Sequence, residues 1–136
     1  MRAFLADDQA EVRAALGILL EHALGARVVG EAADAETLAE AIRSTRPDVL
    51  LLDWGLVEAS ARGALAELRA RRPGLAVVVI SGRVDAREPA LAAGADAFVG
   101  KTDSPEKLLA TLRGLQSRPP ALVSATDPDA DPDPDA

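Results

Sequence analysis

Short β-branched or leucine-rich runs alternate along the chain with longer stretches whose apolar residues recur at helical spacing. Residues 3–6 form a short apolar run, expected as a strand. Over 10–23, Val12, Leu16, Leu19, Leu20 and Ala23 give the period of a one-sided helix, and Gly25 follows as a stop signal. Residues 27–32 (RVVGEA) read as a second strand. Asp34 is placed to cap a helix running through Thr45, with Leu38, Ala41 and Ile42 turned inward. Pro47 interrupts the chain before residues 49–53 (VLLLD), a continuous apolar strand.

The alternation then repeats. A helix over 60–72 carries Leu65 and Leu68 and stops at Pro73-Gly74. The strand over 76–81 contains VVVI, apolar on both faces as a central parallel strand should be. A short helix over 87–93 leads through Gly94 to a strand over 97–100. Ser104 then caps a last helix with Pro105 in its first position and Leu108, Leu109, Leu112 and Leu115 as its stripe. Five strand-then-helix units, with no solenoid-type repeat, predict an α/β fold with a parallel sheet covered by helices on both faces.

Composition narrows the chemistry. Of the 136 residues 49% are hydrophobic, but 29 of those are Ala, and Leu, Val, Ile and Phe together number 35. That is still above the level of disordered chains, and a domain of this size hides roughly two-thirds of its unfolded surface. With no Cys, disulfides, thiolate zinc sites and cysteine nucleophiles are excluded; with His22 as the only histidine, so are histidine-rich metal sites. The apolar runs 49–52 and 75–80 are far short of a bilayer span, and the opening MRAFLADDQ has no signal-peptide core. A cytoplasmic protein is expected.

Charge is uneven. The net charge of −7 argues against the nucleic-acid backbone as a partner. Residues 117–136 hold five Asp against one Arg, a net of −4, and five of the nine prolines, which leaves −3 for residues 1–116. Low hydrophobicity with repeated charge and proline cannot offset the entropy of ordering, so 117–136 is expected to be a disordered acidic tail after a domain over 1–116.

In open α/β sheets, ligands bind beyond the carboxyl ends of the strands. Those ends carry Asp7-Asp8, Asp53, Ser81 and Lys101. Three carboxylates brought together repel one another unless a cation joins them, and an all-oxygen set suits Mg²⁺. Lys101, one of only two lysines among 15 cationic residues, adds a compact charge suited to a single phosphoryl oxygen. Ser81 adds a hydroxyl donor. Together they make a site for a phosphoryl group attached to a carboxylate.

The set Asp7-Asp8, LLLD ending in Asp53, Ser81-Gly82 and Lys101 resembles a bacterial response-regulator receiver domain over roughly residues 2–116. ADDQAEVR, VVGEAADA, RPDVLLLD and AGADAFVGKTDSPEKLLATLR are most similar to its NarL/FixJ-like branch. The resemblance implies a flavodoxin-like, CheY-like doubly wound sheet of order 2-1-3-4-5 with five helices. It implies that Asp53 accepts a phosphoryl group from a sensor histidine kinase or phosphotransfer protein. Asp8 would bind Mg²⁺ directly, Asp7 mainly through a bound water, and the Gly55 carbonyl would add a backbone ligand beside Asp53. Lys101 and Ser81 would hold phosphoryl oxygens. Ser81 and Phe98 would form the switch that reports to a face made by the fourth helix, fifth strand and fifth helix. Self-phosphorylation would be its only chemistry, without turnover as an enzyme.

Some positions depart from the family pattern. Val57 stands where a proline is usual and Ala61 where a glycine is common, so loop stiffness is in question. Trp54 is bulky for a neighbour of the acceptor and is expected to shape access to it. Gly55 and Arg83 occupy positions that tune phosphoryl lifetime in the family. These departures keep open a phosphorylation-independent receiver-like interaction domain. A metal-dependent phosphohydrolase is disfavoured, because Asp53-Trp54-Gly55 has no second carboxylate two residues on. His22 suits a helix C-terminus, and Arg69, Arg71 and Arg72 suit a helix end better than a nucleic-acid patch. The branch usually continues into a helix-turn-helix domain, whereas here only the acidic tail follows. A stand-alone regulator is therefore expected, acting on a downstream protein without direct DNA or membrane binding, with homodimerisation through its signalling face left open.

Overall fold

A computed structural model describes residues 1–116. The strand and helix periodicities resolve into β1 (Arg2–Ala6), α1 (Ala10–Leu24), β2 (Arg27–Ala32), α2 (Leu38–Thr45), β3 (Val49–Asp53), α3 (Ala61–Arg71), β4 (Ala76–Ser81), α4 (Arg87–Ala92), β5 (Ala97–Gly100) and α5 (Pro105–Gln116). Short 3-10 turns occupy Trp54–Leu56, Glu58–Ser60 and Val84–Ala86. All strand pairs are parallel, in the order β2-β1-β3-β4-β5. This is the doubly wound order expected. The acidic tail expected over 117–136 lies outside the described residues.

Alternation along the strands splits the core into two layers. Phe4, Leu50, Leu52, Val77 and Val79 pack with Leu38 and Ile42 of α2, Leu65 and Leu68 of α3 and Ala90 of α4. Leu5, Val49, Leu51, Val78 and Ile80 face the other way, against Leu20 of α1 and Leu108 and Leu112 of α5. At β2 the backbones approach closely: a Cβ on Gly30 would lie 2.7 Å from the Phe4 ring. Gly30 is the register partner of Phe4, beside a shift in the β1–β2 ladder. A strand glycine marks such an approach.

One boundary differs from the sequence expectation. Helix α2 begins at Leu38 with Thr37 as its N-cap residue, not near Asp34. The Asp34 carboxylate accepts from the Glu36 and Thr37 N–H groups at 3.0 and 3.3 Å. Asp34 therefore closes an Asx-type turn that leads into the helix, a competing use of the same short side chain. Among the described residues, no helix is long and apolar enough to cross a membrane.

Candidate functional site

Parallel pairing places the carboxyl ends of all the strands on one edge, and strand order reverses between β1 and β3. Asp7 follows β1 there, Asp53 closes β3, Ser81 closes β4 and Lys101 follows β5. The Lys101 N–H donates to the Ser81 carbonyl at 2.8 Å, which carries the β4–β5 pairing up to the rim.

Asp7, Asp8 and Asp53 each offer a carboxylate oxygen within 4.8 Å of the others, and they run from buried Asp7 to exposed Asp8. Local bonds fix Asp7. Its N–H donates to the Ala32 carbonyl at 3.0 Å, and its Oδ1 accepts from the Gln9 N–H at 2.9 Å. Lys101 Nζ lies 2.9 Å from Asp7 Oδ2 and 3.5 Å from Asp53 Oδ1, so one ammonium bridges two of the three acids. Asp53 also accepts from the Gly55 N–H at 3.4 Å.

Burial pushes the Asp53 carboxyl above its ordinary pKa, and the Asp7 charge adds to this; Lys101 and the Gly55 N–H offset only part. For Lys101, burial acts to lower the pKa. The hydrogen bond to Asp7 and the fields of Asp53 and Asp7 outweigh it, and the ammonium is held above its usual range. The site is thus short of positive charge. An all-oxygen donor set with surplus negative charge suits a hard divalent cation.

The structure brings Asp7, Asp8, Asp53, Gly55, Ser81 and Lys101 to this one edge. Ser81 is buried, and its Oγ accepts from the Arg83 N–H at 3.1 Å. Gly55 leaves the acceptor uncovered, since a Cβ there would sit 3.7 Å from Asp53 Oδ2. Phe98 pairs with Val79 in the β4–β5 ladder and is half-buried against the core layer under α2, α3 and α4.

The bulk of Trp54 does not extend over the acceptor. Its side chain is only 4% exposed and belongs to the same core layer as Leu52 and Leu65, and its Nε1 has no hydrogen-bond partner among the described residues. Val57 and Ala61 are buried in that layer too. The positions that depart from the family pattern therefore anchor the loop after Asp53 by apolar packing.

Several supporting residues carried no signal in the sequence. Arg13 on α1 donates to the Asp7 carbonyl at 2.6 Å and pairs with Glu31 at 2.8 Å. Asp103 accepts from the Gly100 N–H and pairs with Lys107; the Gly100 bond and then Lys107 hold its carboxyl below the ordinary range. Arg69, Arg71 and Arg72 do finish α3, but each is also paired within the chain, with Asp96, with Glu40 and Glu67, and with Asp48. His22 stands in the last turn of α1. Beside Lys101, a trough of about 540 Å³ runs between α1 and α5, lined by Leu16, Leu19, Ile80, Val99 and Leu108.

The profile of the response regulator receiver domain matches residues 3–113. The uncharacterized transcriptional regulatory protein YhcZ of Bacillus subtilis (strain 168) is 32% identical over 113 residues, which is 82% of this chain and 53% of that protein. A protein-glutamate methylesterase/protein-glutamine glutaminase of Alkalilimnicola ehrlichii is 35% identical over 127 residues, 90% of this chain and 33% of that one. The chain thus spans about half or less of the length of these curated relatives. A crystal structure of a two-component response regulator of the LuxR family, from Aurantimonas sp. SI85-9A1, superposes with a TM-score of 0.74 at 29% identity, covering 86% of each chain. Fold and sequence agree, and the chain belongs to the response regulator receiver domain family, a signalling domain of two-component systems.

Proposed function

We propose that this domain, over residues 1–116, accepts a phosphoryl group on Asp53 from the phosphohistidine of a sensor histidine kinase or phosphotransfer protein, and that the modification switches a protein-binding face. The observation that carries this reading is the Lys101 ammonium, held between buried Asp7 and half-buried Asp53 at the strand reversal. An oxygen of Asp53 bonds to phosphorus, the phosphorus–nitrogen bond breaks, and its electron pair returns to the donor imidazole. Asp7, Asp8, Asp53 and the Gly55 carbonyl would hold Mg²⁺, which supplies positive charge to the three acids and the phosphoryl oxygens when bound.

The chain's own groups do the rest. Lys101 is placed to pair with one phosphoryl oxygen. The Ser81 hydroxyl accepts from the Arg83 N–H, which leaves its own proton to donate to another. Drawing Ser81 toward the phosphoryl group moves the end of β4, against which Phe98 lies through its partner Val79. The new negative charge thereby biases a two-state element at the face formed by α4, β5 and α5.

The burial of Trp54 one residue from Asp53 supplies the test. Its fluorescence is followed while Mg²⁺ and then beryllofluoride are added, with Asp53→Asn as the control. A saturable Mg²⁺ response and a second change lost in the variant are expected. A folded protein that ignores both additions, and shows no phosphorylated species by intact mass after a small phosphodonor, refutes this reading in favour of a phosphorylation-independent interaction domain.

A further inference from the structure

The edge of the sheet opposite the acids is lined with arginine. Arg27 and Arg2 open β2 and β1 and are register partners. Arg46 caps the C-terminus of α2. Arg72, at the end of α3, donates from its Nε to the Pro47 carbonyl at 2.9 Å. The Arg2 side chain donates to the Thr45 and Arg46 carbonyls, and its N–H donates to Asp48 Oδ2 at 2.8 Å. Asp48 is shared with Arg72, whose Nη2 lies 3.4 Å away. Asp96, farther along the same edge, pairs with Arg69 and accepts from the Val77 N–H. Arg2, Arg27 and Arg46 are exposed, and among the described residues none of the three has a carboxylate at ion-pair distance.

Helix α5 ends at this edge. It leaves the site edge at Pro105, and its 12 residues span about 18 Å. The five residues of β1 span about 17 Å, so the helix returns across the full height of the sheet. Leu115 accordingly shares a core layer with Met1 and Leu24. The sequence beyond Gln116 carries a net of −4, and its Asp127, Asp129, Asp131, Asp133 and Asp135 fall on every second position.

We propose that the arginine row at this edge docks the chain's own acidic segment, residues 127–135, through guanidinium–carboxylate pairs. Charge favours this edge, because the acids around Asp53 repel the segment from the other one. Spacing matches as well. A residue before proline is pushed toward extended backbone, where alternate side chains share one side at intervals of about 6–7 Å. Arginines on neighbouring strands stand about 4.8 Å apart. Reach is ample: the 11 residues from Gln116 to Asp127 extend to about 36 Å, against about 19 Å for four strand spacings. Each exposed pair is weak, but the tether holds the segment at a millimolar effective concentration, so several weak pairs suffice. The Arg fork also suits a carboxylate better than a point charge would. Docked there, the segment leaves Asp53 and the site around it uncovered.

Because the chain has no Cys, Ala130→Cys places a single nitroxide in the acidic segment of the full chain. Amide signals of the isotope-labelled protein are compared with the nitroxide oxidised and reduced. At low salt, the amides of Arg27, Arg46 and Asp48 should lose most of their intensity, while those of Asp8 and Gly55 keep theirs. The loss should vanish at about 1 M NaCl, where the screening length falls to about 3 Å. Joint Arg27→Gln and Arg46→Gln changes, which break no ion pair among the described residues, should weaken it. Asn at all five Asp positions of the segment should abolish it. No loss at the arginine edge, loss spread equally to the Asp53 edge, or loss indifferent to salt and to these variants overturns the proposal. When the nitroxide is carried instead by an unlabelled copy mixed with the labelled protein, the signals should stay intact. Loss in that mixture shows the segment seated on a second copy and overturns docking within the chain.

Discussion

Removing the charge of Asp53 should stabilise the fold. Its carboxylate lies within 4.8 Å of oxygens on Asp7 and Asp8, and each such repulsion costs about 3.5 kcal/mol at an effective dielectric of about 20. The Lys101 ammonium at 3.5 Å returns about 5 kcal/mol on the same scale. Exposure of Asp8 screens its share, while burial of Asp53 adds a desolvation cost. Asp53→Asn keeps the shape and relieves more than it forfeits, so we expect a gain of about 1–3 kcal/mol without divalent cation, or about 4–12 °C in Tm. Urea unfolding at pH 7 in chelator measures it. The folded Asp53 pKa is raised, so the wild type recovers stability as the pH falls through that value toward 3.8, and the gap between the two proteins closes there. Millimolar Mg²⁺ should stabilise the wild type more than the variant and close the gap from the other side. A variant no more stable than wild type in chelator would refute this account of the site's electrostatics.

Other substitutions test neighbouring steps. Lys101→Ala leaves Asp7 buried without its counter-charge, and should cost about 2 kcal/mol in chelator and steepen the stabilisation by Mg²⁺; equal unfolding midpoints would contradict the bridging role. Gly30→Ala drives a Cβ to 2.7 Å from the buried Phe4 ring and should cost about 1–3 kcal/mol by urea unfolding. Asp96→Ala removes the carboxylate that accepts from the Val77 N–H at 2.8 Å and pairs with Arg69 at 2.6 Å. A loss of about 2 kcal/mol is expected, with faster amide exchange at Val77.

The sheet was legible because its strands are apolar on both faces and end abruptly. VLLLD and AVVVIS allow little else, and β3 and β4 match the expected limits. The start of α2 was not, because Asp34 serves a turn as readily as a helix and sequence spacing does not choose between them. The site was legible for a topological reason: parallel strands bring every carboxyl end to one edge, so residues from Asp7 to Lys101 meet without sharing a local motif. What escaped the sequence was direction and pairing. A tryptophan beside an acid reads as bulk over the site, and only the 3-10 turn after β3 shows that it goes into the core. Arg83 with Glu58 and Arg69 with Asp96 are 25 and 27 residues apart, and such pairs leave no periodic trace.

The opposite signs expected for Asp53→Asn and Lys101→Ala follow from one arrangement. The site holds more negative charge than its single ammonium can balance, and an apolar core under it keeps the acids from moving apart. Phe4, Leu50, Leu51, Leu52, Val77 and Val78 are almost completely buried on the strands that carry them. Burial on that scale makes the excess charge tolerable without relieving it. The unrelieved part is the free energy that a cation or a charge-changing modification can act upon. A site neutral at rest would bind a divalent cation weakly and respond little to a phosphoryl group, because a ligand shifts an equilibrium only by its differential interaction with the two states. Loosening the core beneath the acids, as Leu52→Ala would, should therefore lower the stability of the fold and shrink the gain seen in Asp53→Asn, since the carboxylates could then separate on their own.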